Sequence, residues 1–282
     1  MKVMILGSHG MLGRELTQVF SDCDTTALAQ ADLDITDPAA LQKKIIQVAP
    51  DLIINAAAVN AVDKIEESSE MLELAKKING EAVGNLAALC REHNIILVHF
   101  SSDYVFAGDD KNGYDETAIT NPINKYGITK ALGEKLLLQA GAKFYLIRLS
   151  KLFGRPAVSV GAKKSFVDTM LWLATDEKKV HFDLVDYETS SPTYAPDLAK
   201  LTRSIVDAGR PFGIYHGANS GACSWYGFAK NIFALKNIPV EVTSVPPEKF
   251  PRPAKRPEWS ELINTKLPPQ RSWQEALKEY LC

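Results

Sequence analysis

Short apolar runs alternate with amphipathic stretches along the first half of the chain. The runs Lys2–Leu6, Thr25–Ala29, Asp51–Asn55, Ile95–Phe100 and Phe144–Leu149 read as strands. Between them, Met11–Phe20, Pro38–Val48, Ser68–Glu92 and Tyr126–Ala140 carry the three-to-four-residue apolar spacing of helices. Strands separated by helices pair in parallel through crossover connections. The pattern therefore predicts an α/β fold, a doubly wound parallel sheet with helices on both faces. Ile95-Ile96-Leu97-Val98 is apolar without alternation, as a strand buried on both sides should be.

After Leu149 the rhythm changes. Phe166–Ala174, Pro196–Asp207 and a stretch around Tyr226 read as helices, and Val180–Asp183 and Gly213–His216 as strands. Seven prolines (Pro246, Pro247, Pro251, Pro253, Pro257, Pro268 and Pro269) then predict an extended, turn-rich segment before a last helix, Trp273–Leu281. Residues 1–150 form one unit, and residues 151–282 a smaller subdomain wrapped on it.

Composition narrows the function classes. A chain of 282 residues suffices for one large α/β domain with an appendage. A net charge of −2 offers no electrostatic basis for binding nucleic acid or an anionic membrane. No apolar stretch approaches the roughly 18–20 residues of a membrane span. The N-terminal apolar run is too short for a signal-peptide core and ends in a glycine turn. Cys23, Cys90, Cys223 and Cys282 lie far apart, and no metal-binding spacing is visible, so a reducing cytoplasm is the expected location.

Three segments carry candidate chemistry. Gly7-Ser8-His9-Gly10-Met11-Leu12-Gly13 lies between the first strand and the first helix. Its glycines suit a tight turn, a close backbone approach to a pyrophosphate and close helix packing. Gly7, His9, Gly10, Met11, Leu12 and Gly13 are thus candidate contacts of a dinucleotide, NADPH or NADH. After the second strand, Ala29-Gln30 offers neither acid nor arginine to an adenosine ribose, but Asp34 and Ile35 follow closely. After the third, Asn55, Ala56, Ala57 and Ala58 have side chains small enough for a flat cofactor to lie against the backbone.

The second segment, Ser101-Ser102-Asp103-Tyr104, closes the fourth strand, and Ser101 faces the same crevice in this reading. The third is Tyr126-Gly127-Ile128-Thr129-Lys130 at the start of a helix. Positions four apart share a helix face, so Lys130 stands beneath Tyr126. An ammonium beside a phenol lowers the phenol's pKa and makes it a usable acid–base group. Ser102 can hold a carbonyl oxygen against Tyr126. A second match, Tyr226 to Lys230, lies on an amphipathic helix with Phe228 and Phe233 and reads as structural. Asn79, inside a helical pattern, fits either a proton relay or a bend.

These residues resemble the extended short-chain dehydrogenase/reductase superfamily, and more closely the dTDP-4-dehydrorhamnose reductase family. The resemblance covers essentially the whole chain. It includes Asp34-Ile35-Thr36-Asp37, Ala61-Val62-Asp63-Lys64, Gly133-Glu134, Ser191-Pro192-Thr193-Tyr194, Cys223-Ser224-Trp225-Tyr226 and Arg252-Pro253-Ala254-Lys255-Arg256-Pro257. It implies a Rossmann fold, NAD(P)H, a nucleotide-sugar substrate and reduction of a C4 ketone; the sequence leaves the oligomeric state open, a homodimer included. It also implies that Ser102, Tyr126 and Lys130 are catalytic, and that Asn60, Val62, Asp103 and Tyr104 line the sugar pocket. Relatives usually carry tryptophan where this chain has Lys151, after Arg148-Leu149-Ser150. Lys151 therefore becomes a candidate substrate contact, and leaves open a related ketoreductase for another nucleotide sugar. A non-catalytic NADP-binding regulatory subunit also stays open.

Overall fold

The computed structural model describes residues 1–158, 164–176 and 180–282. The first half runs β1 (Lys2–Leu6), α1 (Met11–Val19), β2 (Asp24–Leu28), α2 (Pro38–Val48), β3 (Leu52–Asn55), α3 (Val62–Glu67), α4 (Ser69–Lys76), a π-helical turn (Lys77–Glu81), α5 (Ala82–Glu92), β4 (Ile96–Ser102), α6 (Lys125–Ala140) and β5 (Lys143–Leu149). The second half runs β6 (Leu152–Phe153), α7 (Phe166–Leu173), β7 (His181–Val185), β8 (Thr189–Ser190), β9 (Thr193–Tyr194), α8 (Ala195–Asp207), β10 (Gly213–His216), α9 (Trp225–Leu235), β11 (Glu241–Val245), β12 (Trp259–Ser260) and α10 (Trp273–Leu281).

Six strands form one parallel sheet in the order β2-β1-β3-β4-β5-β10. The order reverses between β1 and β3, which opens a crevice at the carboxyl ends of those strands. Leu41 and Ile45 of α2, Val83 and Leu86 of α5 and Leu137 of α6 cover one face. Leu12 and Leu16 of α1, with Leu198 and Ile205 of α8, cover the other. This is the doubly wound Rossmann architecture that the alternation predicts. Its sixth strand and the α8 cover come from beyond residue 150, so the later chain contributes to the main sheet as well as to its own layer.

That layer packs Phe153, Phe228, Phe233, Trp273 and Leu277 around α7, α9 and α10. The proline-rich segment is extended and turn-rich as expected, with the two-residue β12 within it and β11 just before its first proline. β11 pairs in parallel with β7, and β12 with β8. The helix expected over Ser68–Glu92 is interrupted by the π-helical turn. There the fully buried Asn79 side chain accepts from the Val59 amide at 2.9 Å, and donates to the Val59 carbonyl at 2.9 Å and to Thr129 at 3.1 Å. The π-helical turn forms around an amide that ties the segment after β3 to α6. Among the described residues no helix is long and apolar enough to cross a membrane, and no cluster of metal-binding side chains occurs.

Candidate active site

The glycine-rich turn lies in the crevice between β1 and β3. Gly7 has φ +78°, and a Cβ there would meet the Ala57 amide nitrogen at 2.8 Å. A Cβ on Gly13 would lie 2.1 Å from the Gly7 carbonyl oxygen, so α1 starts hard against the turn. The Gly7 and Ser8 amides donate to Leu28 at 2.9 and 3.1 Å, fixing the turn beside the end of β2. No side chain caps α1 at Gly10. Its first amides, those of Met11 and Leu12 among them, thus have no side-chain acceptor and suit an anion.

Across the crevice, the Asn55 side chain accepts from the Ala57 amide at 3.1 Å and contacts His99 at 3.3 Å. Burial holds the His99 imidazole well below its usual pKa, so it braces Asn55 as a neutral ring. Ala56 and Ala57 are half-buried and Ala58 is exposed. The Ser101 hydroxyl is buried and without a hydrogen-bond partner among the described residues. An uncapped helix start, a Cβ-free turn and an unspent hydroxyl fit a dinucleotide lying over the ends of β1, β3 and β4.

His9 is exposed at the rim, and its carbonyl accepts from the Val158 amide at 3.0 Å. The exposed Asp34 uses its carboxylate on Thr36, at 2.9 Å to the amide and 2.8 Å to the hydroxyl, while Ile35 is buried in the core. Asp32 accepts from the Ala29 amide at 2.8 Å. Both acids thus shape the turn after β2.

Tyr126 and Lys130 share the inner face of α6, and both are buried. The helix starts at Asn124, whose side chain accepts from the Gly127 amide at 2.8 Å and donates to the Lys255 carbonyl at 2.8 Å. Lys130 Nζ donates to the Phe100 carbonyl at 2.7 Å, which fixes the ammonium beneath the end of β4. Burial pulls its pKa down to about 8, with Glu134 opposing. Glu134 is itself held by Arg148 through two bonds of 3.0 and 2.7 Å. Burial pushes the Tyr126 phenol up to about 12; the Ser102 hydroxyl lowers it and Asp103 raises it. The phenol, hydroxyl and ammonium stand together at the crevice, able to give a proton to a carbonyl oxygen.

The expected sugar-side residues separate into groups. Val62 and Tyr104 pack around Tyr126 with Ile65, and the Tyr104 and Tyr126 rings meet edge to face at 5.5 Å. Asn60 is exposed, and its carbonyl accepts from the Val62 amide at 2.9 Å. Asp103 is buried, 3% exposed, and accepts from Ser102, Ser150 and Ser260 at 3.0, 2.8 and 2.7 Å. Lys151 has φ +41° and donates to the carbonyls of Glu188 and Cys223 at 2.9 and 2.5 Å. Its ammonium lies 4.6 Å from the centre of the Trp225 ring. Lys151 is thus a strut between segments, with an indole against it. The second Tyr-x-x-x-Lys pair lies on α9, where Lys230 covers the Tyr226 ring at 5.2 Å.

The structure also brings in residues without a local sequence signal. Ser260 reaches Asp103 across 157 positions of chain. Arg256 grips Asp63 through two bonds of 2.8 Å, beside Tyr104, and holds its carboxyl below the usual range. Arg252 pairs with Glu188, which also accepts from the Trp225 indole at 2.8 Å. The Arg252 to Pro257 motif stood out in the sequence, but its partners did not.

The family profile for the RmlD substrate binding domain matches residues 1–282. A dTDP-4-dehydrorhamnose reductase of Streptomyces griseus is 35% identical over 98% of this chain and 91% of its own length. A probable dTDP-4,6-dihydroxy-2-methyloxan-3-one 4-ketoreductase of Streptomyces antibioticus is 35% identical over 99% and 94%. The crystal structure of dTDP-4-dehydrorhamnose reductase from Bacillus anthracis in complex with NADP is 32% identical, covers 99% of this chain and 98% of that one, and superposes with a TM-score of 0.91. With the glycine turn, the Ser102 strand end and the Tyr126–Lys130 helix all in place, the chain belongs to the RmlD substrate binding domain family and, with it, to the dTDP-4-dehydrorhamnose reductase family.

Proposed function

We propose that this chain reduces the C4 ketone of a nucleotide-linked deoxy sugar with NADPH or NADH, and that the sugar is dTDP-4-dehydro-L-rhamnose, giving dTDP-L-rhamnose. Convergence of Tyr126, Lys130 and Ser102 beside the glycine-lined crevice carries the reading. The reduced nicotinamide, when bound, supplies the hydride to the ketone carbon. Tyr126 supplies the proton. Its raised pKa keeps the phenol protonated at neutral pH, the form that reduction requires. Lys130, anchored on Phe100, is in this reading the positive charge that favours the phenolate as it forms. Ser102 holds the carbonyl oxygen against the phenol. Val62 and Tyr104 flank the ring and restrict where the sugar enters.

In this reading residues 1–150 hold most of the cofactor and residues 151–282 mainly shape the sugar side, in a cytoplasmic enzyme. A second reading, a ketoreductase for another nucleotide sugar, is favoured by Lys151, because a strut occupies the position where relatives carry an indole. The test is oxidation of NADPH and of NADH with enzymatically generated dTDP-4-dehydro-L-rhamnose, for wild type and Tyr126→Phe. Turnover reduced by roughly 10²–10⁴-fold in the variant, with cofactor affinity kept, is the expected result. A folded, NADPH-binding wild type that leaves this sugar unreduced sinks the rhamnose assignment.

A further inference from the structure

Glu15 is a carboxylate buried on α1. It is 4% exposed, close to the buried Leu12 and Leu16, and the proposed reaction makes no use of it. Its partner comes from 140 positions further along the chain. Arg155 Nε donates to Oε1 at 2.8 Å, and Nη2 donates to Oε2 at 3.0 Å. The same Nη2 donates to the Gln18 side-chain oxygen at 2.5 Å. The Arg155 side chain is 51% exposed, so the arginine closes the pair from the outside. A carboxylate taken out of water needs such a partner, and a planar guanidinium supplies both bonds at once.

The arginine belongs to a short segment that follows β6. Gly154, at φ +150°, turns the chain off that strand, and a Cβ there would lie 3.0 Å from the Ala195 Cβ at the start of α8. From this point the segment climbs α1 towards its N-terminus. Arg155 reaches Glu15 and Gln18. The Pro156 carbonyl accepts from Arg14 Nη1 at 2.6 Å, and the Val158 amide donates to the His9 carbonyl at 3.0 Å. Met11, Arg14, Glu15 and Gln18 follow one another at spacings of three and four, and so share one stripe of the helix. Residues 154–158 run along that stripe without strand or helix of their own. They end at the glycine-rich turn, where α1 has no side-chain cap.

We propose that residues 154–158 form the outer wall of the pyrophosphate site, and that Arg155 and Glu15 are positioning residues that clip this wall along α1 and so set how long the dinucleotide stays bound. The inference rests on the dinucleotide reading of the glycine-rich turn and needs no assignment of the sugar. Arg155 is spent on Glu15 and Gln18 rather than on a phosphate, so its effect passes through the segment that it holds. The wall continues from β6, which pairs with β9, and so joins the cofactor turn to the layer formed by the later half of the chain.

The experiment follows release of NADPH from the full chain by stopped-flow fluorescence, with excess NADP⁺ as the chase. Variants are Arg155→Ala, Arg155→Lys, Glu15→Gln and the Glu15→Gln/Arg155→Ala pair, and thermal unfolding without cofactor is measured on each. Arg155→Ala is expected to speed release by roughly three- to tenfold. Arg155→Lys keeps the charge but loses the two-pronged geometry, and should fall between Arg155→Ala and wild type. The pair should release NADPH no faster than Arg155→Ala, because the clip is already open in the single variant. The pair leaves no unpaired carboxylate, so its faster release against wild type decides the matter if Arg155→Ala folds poorly. A lowered Tm with an unchanged release rate would reduce the clip to a structural tie and overturn the proposal. Effects that multiply in the pair would overturn it too. Faster release from variants of a protein that leaves dTDP-4-dehydro-L-rhamnose unreduced supports the wall, and only the rhamnose assignment fails. A wild type that binds neither NADPH nor NADH overturns the wall together with the cofactor reading.

Discussion

Gly127 packs directly on the backbone of Tyr104: a Cβ added to Gly127 would lie 2.1 Å from the Tyr104 carbonyl oxygen. This contact decides how closely the start of α6 approaches the Ser102 turn, and so how Tyr126 meets Ser102. Gly127→Ala must push helix and turn apart. Overpacking of this kind costs about 1–3 kcal/mol, and a displacement near 1 Å at the reacting groups costs roughly a hundredfold in rate. Thermal unfolding and steady-state kinetics on the variant check both. Wild-type kcat with an unshifted Tm would show that the turn yields freely.

In the proposed reaction the pH dependence comes from Lys130. Burial brings its ammonium down to about 8, whereas Tyr126 stays protonated up to about 12. As pH rises through 8, Lys130 loses the charge that stabilises the phenolate while Tyr126 still holds its proton. The rate of ketone reduction should therefore fall on the alkaline side with an apparent pKa near 8 in the free enzyme. Lys130→Met should remove that limb together with most of the activity. A flat kcat/KM profile from pH 7 to about 9.5 would contradict the assignment.

Lys151 is expected to act on stability before specificity. Lys151→Met removes two hydrogen bonds to the Glu188 and Cys223 carbonyls, at about 1 kcal/mol or more each. It also leaves Trp225 without the cation above its ring. A lower urea midpoint with little change in sugar KM is the expected outcome. A raised KM with unchanged stability would instead make Lys151 a direct substrate contact.

Acid should destabilise the fold through buried imidazoles. Burial holds His99 well below its usual pKa and His216 at about 4, so both stay neutral when folded. Below about pH 6.5 the unfolded chain takes up protons at both positions that the folded chain refuses, for His216 down to about pH 4. Stability then falls as pH drops, by about 1.4 kcal/mol per pH unit for each histidine. His181 opposes this, because Asp183 raises its pKa and the folded form gains from protonation. Urea midpoints between pH 7.5 and 5 should fall for wild type and fall less for His216→Asn. Equal slopes would exclude His216 as a contributor.

Much of the sheet is legible from pattern. β1, α2, β10 and α10 have the bounds that the apolar spacing predicts, and β3, β4 and β5 differ only at their ends. Local sterics explain this, since apolar periodicity and glycine punctuation act over a few residues. The break at Asn79 is less legible, because it depends on Val59 and Thr129 meeting one amide. α3 follows a loop of small residues and has only six residues of its own, too few for a periodic signal.

The sequence by itself determined the sheet's alternation, the glycine turn that opens α1 and the placing of Tyr126 above Lys130, because each depends on neighbours within a turn or two of chain. It also placed Ser102 at a strand end. Tertiary structure alone decided the partners of these groups. Asp103, read as a pocket contact, lies buried beneath three hydroxyls. Lys151, read as a substrate contact, spans two backbone carbonyls. A charged side chain taken out of water must find hydrogen-bond partners, and the donors or acceptors that satisfy it can come from any part of the chain that folding brings within 3 Å or so. Ser260 meets Asp103 across 157 positions for that reason, and no local pattern marks the pair.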